Sequence, residues 1–219
     1  MLEYLHNLSD YFGGLNVFRY TTFRTLGAVT TSALFCLVLG PFFIRKLTEL
    51  KIGQPIRTRA EVNRLAELHG GKRGTPTMGG LMILCSVVIS CLLWAPLDNK
   101  FVALALFTIV VLGGLGLVDD YLKVTRKRSD GVSARAKLAV QLMVGVTVGG
   151  CLIMDPETHE QACSLAVPFL KAPLVDNLGW FALAFFALVL VGSSNAVNLT
   201  DGLDGLAAGC SAIVASVLG

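Results

Sequence analysis

Long apolar runs separated by short polar segments dominate the pattern of this 219-residue chain. An apolar run of about 20 residues can cross a bilayer as an α-helix, because that length matches the hydrocarbon core. Five runs approach this length, at residues 26–44, 78–94, 101–118, 138–154 and 180–197. A sixth begins near Leu206 and reaches Gly219 before it is long enough to cross. We therefore predict an all-α, polytopic integral membrane protein, with five transmembrane helices and an incomplete sixth in a single transmembrane domain over residues 1–219.

The composition supports a membrane protein and argues against a soluble domain. Hydrophobic residues make up 54% of the chain and charged residues 15%, whereas about 25% charged residues is usual for soluble domains. The net charge of +3 is too small to suggest binding to nucleic acid. The six cysteines lack the spacing of metal ligands, so we expect them to be small apolar packing residues.

Basic residues lie mainly in two of the polar segments. Of the 18 lysines and arginines, eight fall in residues 45–73 and six in residues 123–137. Loops rich in Lys and Arg remain on the cytoplasmic side of a membrane. We therefore predict an N-terminus outside the cell and cytoplasmic segments at about residues 45–77, 119–137 and 195–205.

Acidic and amide residues collect where two of the apolar runs end. Asp119 and Asp120 close the run 101–118, and a second group lies at and after the end of the run 180–197. The second group consists of Asn195, Asn198, Asp201 and Asp204. Ionisable residues at membrane depth are costly, so they usually mark a functional site. Both groups are predicted on the cytoplasmic face, where they would form one polar pocket.

A structural role for these acids is the alternative. Asp120 could pair with Lys123, and Asp201 could cap the next helix. Asp119 and Asp120 are adjacent, so on a helix they would point about 100° apart. One of them could then bind a metal while the other handles a proton.

The residue types favour phosphoryl transfer assisted by a hard metal ion. Carboxylates without His or Cys favour Mg²⁺ or Mn²⁺ over zinc. Lys72 lies in the glycine-rich segment 69–80, where Thr75 could cap a helix start that binds an anion. Lys123 and Lys137 could bind phosphate, or only extend to the membrane surface and contact anionic lipid. Carboxylates, a divalent metal and lysines are together the groups that stabilise phosphoryl transfer.

Three sequence blocks resemble one group of membrane enzymes. They are Lys72-Arg-Gly-Thr-Pro-Thr-Met-Gly-Gly80, Gly116-Leu-Val-Asp-Asp-Tyr-Leu-Lys123 and Asn195-Ala-Val-Asn-Leu-Thr-Asp-Gly-Leu-Asp-Gly-Leu-Ala207. The chain resembles the polyprenyl-phosphate N-acetylhexosamine-1-phosphate transferase superfamily over nearly its whole length, and the first block points to the muramoyl-pentapeptide branch. The resemblance implies the N-terminal part of a roughly ten-helix fold in the bacterial cytoplasmic membrane, often as a homodimer.

The resemblance also implies a reaction between undecaprenyl phosphate and UDP-N-acetylmuramoyl-pentapeptide. The lipid phosphate attacks the β-phosphate of the nucleotide sugar, lipid I forms and UMP leaves, with Mg²⁺ required. Direct attack and a covalent enzyme intermediate both remain open. Asp119 would be the base for the lipid phosphate and Asp120 its acidic partner, and both are implied metal residues. The implied substrate-binding residues are Lys72, Thr75, Lys123, Lys137, Asn195, Asn198, Asp201, Gly202 and Asp204.

The family pattern extends beyond the last residue of this chain. A further metal-binding Asp and a His-rich motif occur in later loops of the family. We therefore expect residues 1–219 to be part of a longer protein and to be inactive alone. Two other classes of function remain as alternatives: a membrane transporter, which would also use acids at membrane depth, and a non-catalytic membrane scaffold.

Overall fold

A computed structural model describes residues 2–49, 78–126, 131–201 and 205–218. Within these ranges the regular structure is helical, apart from one antiparallel bridge between Leu165 and Val175. Two short 3-10 helices, Leu2–Leu8 and Gly13–Arg19, precede the α-helices. The α-helices are α1 (Thr21–Glu49), α2 (Gly79–Trp94), α3 (Lys100–Arg126), α4 (Ala134–Met154), α5 (His159–Cys163), α6 (Phe181–Thr200) and α7 (Leu206–Leu218).

Each of the five predicted runs forms a helix, which confirms the all-α polytopic fold. Helices α1, α3, α4 and α6 are long and apolar enough to cross a membrane. Two further apolar helices are shorter, since α2 has 16 residues and α7 has 13. At 1.5 Å per residue α2 covers about 24 Å, whereas a hydrocarbon core is about 30 Å thick. The chain is thus a multi-pass membrane protein, with four helices of full spanning length among the described residues.

Two helices continue past the apolar runs that predict them. Helix α3 runs two turns beyond Val118, to Arg126, and α6 continues to Thr200. Leu, Lys and Arg are good helix formers, so the polar continuation of α3 can remain helical outside the apolar run. The predicted cytoplasmic segments 119–137 and 195–205 therefore begin inside helices, and the acids at their starts have helical geometry.

The contacts divide the described residues into two units, Met1–Ser133 and Ala134–Gly219. In the first unit, α1 packs against α2 through small polar side chains. Ser32 Oγ donates to Ser86 Oγ at 3.3 Å, and Ser86 Oγ donates to the Ile83 carbonyl at 2.8 Å. Small residues let membrane helices approach closely, and their hydroxyls can bond across the interface. The single transmembrane domain stays a prediction.

In the second unit, α4 packs against α6 at two glycines that are four residues apart. A Cβ placed on Gly145 would lie 2.7 Å from the Ala187 Cα, and one on Gly149 would lie 2.9 Å from the Phe186 Cβ. Such separations leave no room for a side chain, so the close approach of the two helices requires glycine. The Gly-x-x-x-Gly spacing is a recurrent packing pattern of membrane helices. Hydropathy alone does not single it out.

Candidate functional site

Asp119 is a buried carboxylate at the polar end of the apolar run in α3. Only 7% of the residue is exposed. Lys123 Nζ, one turn further on, lies 2.7 Å from Asp119 Oδ2, and the Val132 N–H donates to Asp119 Oδ1 at 2.7 Å. Burial of a carboxylate without such partners would be costly. Both contacts stabilise the ionised carboxylate and fix the direction of the side chain.

Asp120 has a different environment, although it is the next residue. Its side chain is 36% exposed, whereas that of Asp119 is 9% exposed. Lys123 Nζ lies 3.8 Å from Asp120 Oδ1, so the lysine is closer to Asp119. Successive residues on a helix point in different directions, as the sequence predicts for this pair. The site therefore has one enclosed carboxylate and one that solvent or a ligand can reach.

Gly131 and Val132, just before α4, lie against the Asp119 side chain. A Cβ placed on Gly131 would lie 2.1 Å from Asp119 Oδ1 and 3.0 Å from the Asp119 carbonyl oxygen. Even an alanine would therefore displace the carboxylate or the backbone. Sequence reasoning missed Gly131, because a glycine between two helices reads as an ordinary turn residue.

The Asn195 side chain joins α6 to α4. Its Nδ2 donates to Gln141 Oε1 at 2.9 Å and to the Val191 carbonyl at 2.8 Å. Gln141 Nε2 donates to Ser194 Oγ at 3.0 Å. Gln141 is 5% exposed and lies within the apolar run of α4. Sequence reasoning missed this residue too, although a lone amide in a membrane-length run often indicates a hydrogen bond between helices.

The other predicted site residues have less enclosed positions or lie outside the structure. Asn198 and Asp201 are exposed at the end of α6, and Lys137 is half-buried on α4. Outside the described residues lie Lys72, Thr75, Gly202 and Asp204. The structure thus brings Asp119, Asp120 and Lys123 together, and the predicted substrate-binding roles stay predictions.

The carboxylates of Asp119 and Asp120 have the donor chemistry that Mg²⁺ prefers. This ion is usually held by one or two carboxylates together with waters and substrate phosphates. Among the residues that the structure describes, no group of three or more His, Cys, Asp and Glu side chains could hold a metal. Carboxylate oxygens are the donor type that this ion takes, so the chemistry of the two residues is compatible with it. Asp120 is the more accessible of the two carboxylates, since Asp119 contacts Lys123 and Val132.

Similarity to known proteins covers nearly the whole chain. The model of glycosyl transferase family 4 matches residues 102–219, and phospho-N-acetylmuramoyl-pentapeptide-transferase signature 1 matches residues 72–84. A phospho-N-acetylmuramoyl-pentapeptide-transferase of Methylacidiphilum infernorum (isolate V4) is 54% identical over 217 residues, which cover 99% of this chain and 59% of that protein.

Two further relatives carry the same name. The protein of Desulfotalea psychrophila is 46% identical over 97% of this chain and 57% of its own length. The protein of Maridesulfovibrio salexigens is 47% identical over 95% of this chain and 56% of its own length. The chain therefore spans less than two thirds of the length of each of these three relatives. By the family model and the signature together, the chain belongs to glycosyl transferase family 4, in the group that carries the phospho-N-acetylmuramoyl-pentapeptide-transferase signature.

Proposed function

We propose that the protein transfers phospho-N-acetylmuramoyl-pentapeptide from its UDP carrier to undecaprenyl phosphate, giving lipid I and UMP. The observation that carries the proposal is the enclosed Asp119 carboxylate, directly after the apolar run of a membrane-length helix, in a chain that bears the signature. The reaction would be the first membrane step of peptidoglycan synthesis. We place it in the bacterial inner membrane, with the site facing the cytoplasm and the protein as a homodimer.

The position of Asp119 suits a substrate that is anchored in lipid. Undecaprenyl phosphate keeps its chain in the hydrocarbon core and its phosphate at the surface. Asp119 directly follows the apolar run of α3, so its carboxylate and the lipid phosphate would reach a similar depth. In the proposed role, Asp119 accepts the proton of the lipid phosphate. The freed phosphate oxygen then bonds to the β-phosphorus, and the bond from that phosphorus to UMP breaks.

The basic side chains would balance the negative charge of the two substrates. Lys123 Nζ lies beside the proposed base and can stabilise charge on the attacking phosphate. We assign Lys137 to the diphosphate, and Asn198 and Asp201 to the nucleotide. Asp120 and Asp119 would hold Mg²⁺, which would neutralise part of the negative charge of the diphosphate.

The test of the function is UMP release by the complete gene product in detergent with added lipid. We expect release to require undecaprenyl phosphate, UDP-N-acetylmuramoyl-pentapeptide and Mg²⁺, and to stop when EDTA removes the metal. Lipid I should appear in equal amount. Purified folded protein that binds neither substrate and releases no UMP would overturn the proposal.

The two alternatives make different predictions in the same preparation. A transporter would accumulate labelled substrate inside sealed vesicles without releasing UMP. A scaffold would show no Mg²⁺-dependent binding of the UDP-sugar. Exchange of labelled UMP into the UDP-sugar without the lipid substrate would further indicate a covalent enzyme intermediate, whereas direct attack requires the lipid.

Gly131→Ala should lower the rate of UMP release by about 100-fold. The new methyl group must displace the Asp119 carboxylate, and a shift of about 1 Å in a reacting group can cost that much. Initial rates at saturating substrate measure the effect. Gly114→Ala is the matched control, because a Cβ at Gly114 meets nothing within 4 Å. Equal rates for the two variants would show that Gly131 does not constrain the carboxylate.

The proposed orientation predicts which new cysteines react from outside the cell. Asp10 and Arg135 are both exposed residues, on segments predicted outside and inside respectively. A membrane-impermeant maleimide on intact spheroplasts should label Asp10→Cys above the background of the parent protein. Arg135→Cys should react only after the membrane is opened. The reverse pattern would place the site on the outer face and contradict the proposed orientation.

A further inference from the structure

Gln141 is buried on a membrane helix, and both the oxygen and the nitrogen of its side-chain amide make hydrogen bonds. Its Oε1 accepts from Asn195 Nδ2 at 2.9 Å, and its Nε2 donates to Ser194 Oγ at 3.0 Å. The residue is 5% exposed. A glutamine in an apolar membrane segment is costly unless it is bonded, so this residue makes a specific connection between α4 and α6.

The contacts along the two helices fix their direction and register. Gly149 approaches Phe186, Gly145 approaches Ala187, and Gln141 bonds to Asn195. Residue numbers rise on α4 as they fall on α6, so the two helices are antiparallel. The glycines set the close approach of the helices over one part of the interface. The Gln141 hydrogen bonds hold the two helices together nearer to Asn198 and Asp201, which are assigned to the nucleotide.

The residues that the proposed function assigns to the UDP-sugar lie one to two helical turns from this connection, on the side away from Gly145 and Gly149. On α4 the next residue on the same face as Gln141 is Lys137, because positions four apart share a face. On α6 the turn after Asn195 carries Asn198, and Asp201 follows the helix. The antiparallel register brings Lys137 level with the turn that carries Asn198.

We propose that Gln141 is a positioning residue, which holds the last turns of α6 against α4 so that Asn198 and Asp201 stay level with Lys137. This inference rests on the proposed function, since Asn198, Asp201 and Lys137 are assigned there to the nucleotide substrate. Gln141 itself touches no substrate in this role. It acts through Ser194 and Asn195, which it bonds directly.

The test compares Gln141→Leu with the parent in the complete gene product. Leucine has a similar size and removes both hydrogen bonds. We expect the KM for UDP-N-acetylmuramoyl-pentapeptide to rise about 8-fold, because two hydrogen bonds are lost and one interhelical hydrogen bond in a membrane protein contributes about 3-fold on average. The KM for undecaprenyl phosphate and kcat should change less than twofold. A change that weakens ground state and transition state equally raises KM and leaves kcat unchanged.

The two KM values separate positioning from a merely structural role. Loss of folded enzyme lowers the apparent kcat in proportion and leaves both KM values unchanged. An unchanged KM for the nucleotide substrate, whatever happens to kcat, therefore overturns the proposal. If Gln141→Leu does not fold, Ser194→Ala takes its place, because it removes one of the two bonds and should shift the same KM less. Gln161→Leu is the control, since Gln161 is exposed on α5.

Amide hydrogen exchange over residues 195–200 provides a readout that does not depend on activity. We expect Gln141→Leu to speed exchange in this segment more than in residues 181–190 of the same helix. If the parent protein shows no transferase activity, the proposed function fails on its own. The exchange result then still decides the role of Gln141, and unchanged exchange over residues 195–200 overturns it.

Discussion

Asp119→Asn should reduce lipid I formation by about 10²- to 10⁴-fold, the usual contribution of a side chain that transfers a proton. The amide has nearly the same shape as the carboxylate, and its oxygen can still accept from the Val132 N–H. It cannot take a proton from the lipid phosphate. It also removes the anionic partner of Lys123, whose Nζ lies 2.7 Å from Asp119 Oδ2. The rate of UMP release by the complete gene product measures the loss.

Two comparisons make the Asp119→Asn result specific. Asp98→Asn is the control, because Asp98 is an exposed residue in the turn between α2 and α3, away from the carboxylate pair. The yield and the thermal unfolding temperature of Asp119→Asn should match those of the control. A near-normal rate for Asp119→Asn would remove this residue from the chemistry. If the variant also unfolds, its low rate says nothing about catalysis. The rate of UMP release and the unfolding temperature are therefore measured on the same preparation.

Gly145→Val should destabilise the second unit, because α4 and α6 are in close contact at that position. The Cβ alone would lie 2.7 Å from the Ala187 Cα and 3.4 Å from the Ala187 nitrogen, and backbone atoms cannot rotate away. Overpacking of this kind costs about 1–3 kcal/mol. For a protein of this size, that free energy lowers the unfolding temperature by roughly 2–12 °C. Thermal unfolding in detergent, followed by size-exclusion chromatography, measures the change.

The matched control for Gly145→Val is Gly150→Val. Gly150 lies on the same helix, and a Cβ placed there meets nothing within 4 Å. Both substitutions add the same side chain to the same helix, so a difference between them isolates contact with α6. Equal unfolding temperatures would mean that the two helices do not depend on glycine at Gly145.

The fold class follows from the sequence because the bilayer imposes a simple rule. A spanning segment must satisfy its own backbone hydrogen bonds, so a long apolar run becomes a helix whatever its neighbours do. Helix ends are less determined. The apolar run in α3 stops at Val118 but the helix continues to Arg126, because helix propensity does not depend on hydropathy. Helix α2 begins at Gly79, one residue after the start of the apolar run that predicts it, and both end at Trp94.

The candidate site was predictable only in its residue types. Asp119 and Asp120 stand out because acids are rare beside apolar runs, and their adjacency predicts divergent side chains. Which of them is enclosed depends on Val132, thirteen residues further along the chain. Gly131 acts through contact with another segment, which no local pattern reveals, and the lone amide Gln141 in an apolar run indicates a hydrogen bond between helices but not its partners. Tertiary packing supplies this information.

The length of α3 has a consequence for the lipid around the protein. Lys100 begins this helix and Asp119 follows 19 residues later, which places them about 28 Å apart along the axis. That spacing is close to the thickness of a hydrocarbon core, about 30 Å. A helix with Lys100 at one end of this span and the proposed base Asp119 at the other can adjust to a thicker or thinner membrane by tilting or by deforming the surrounding lipid. In the proposed reaction, acyl-chain length should therefore change the depth of the Asp119 carboxylate, and the rate should vary with growth temperature and fatty-acid composition.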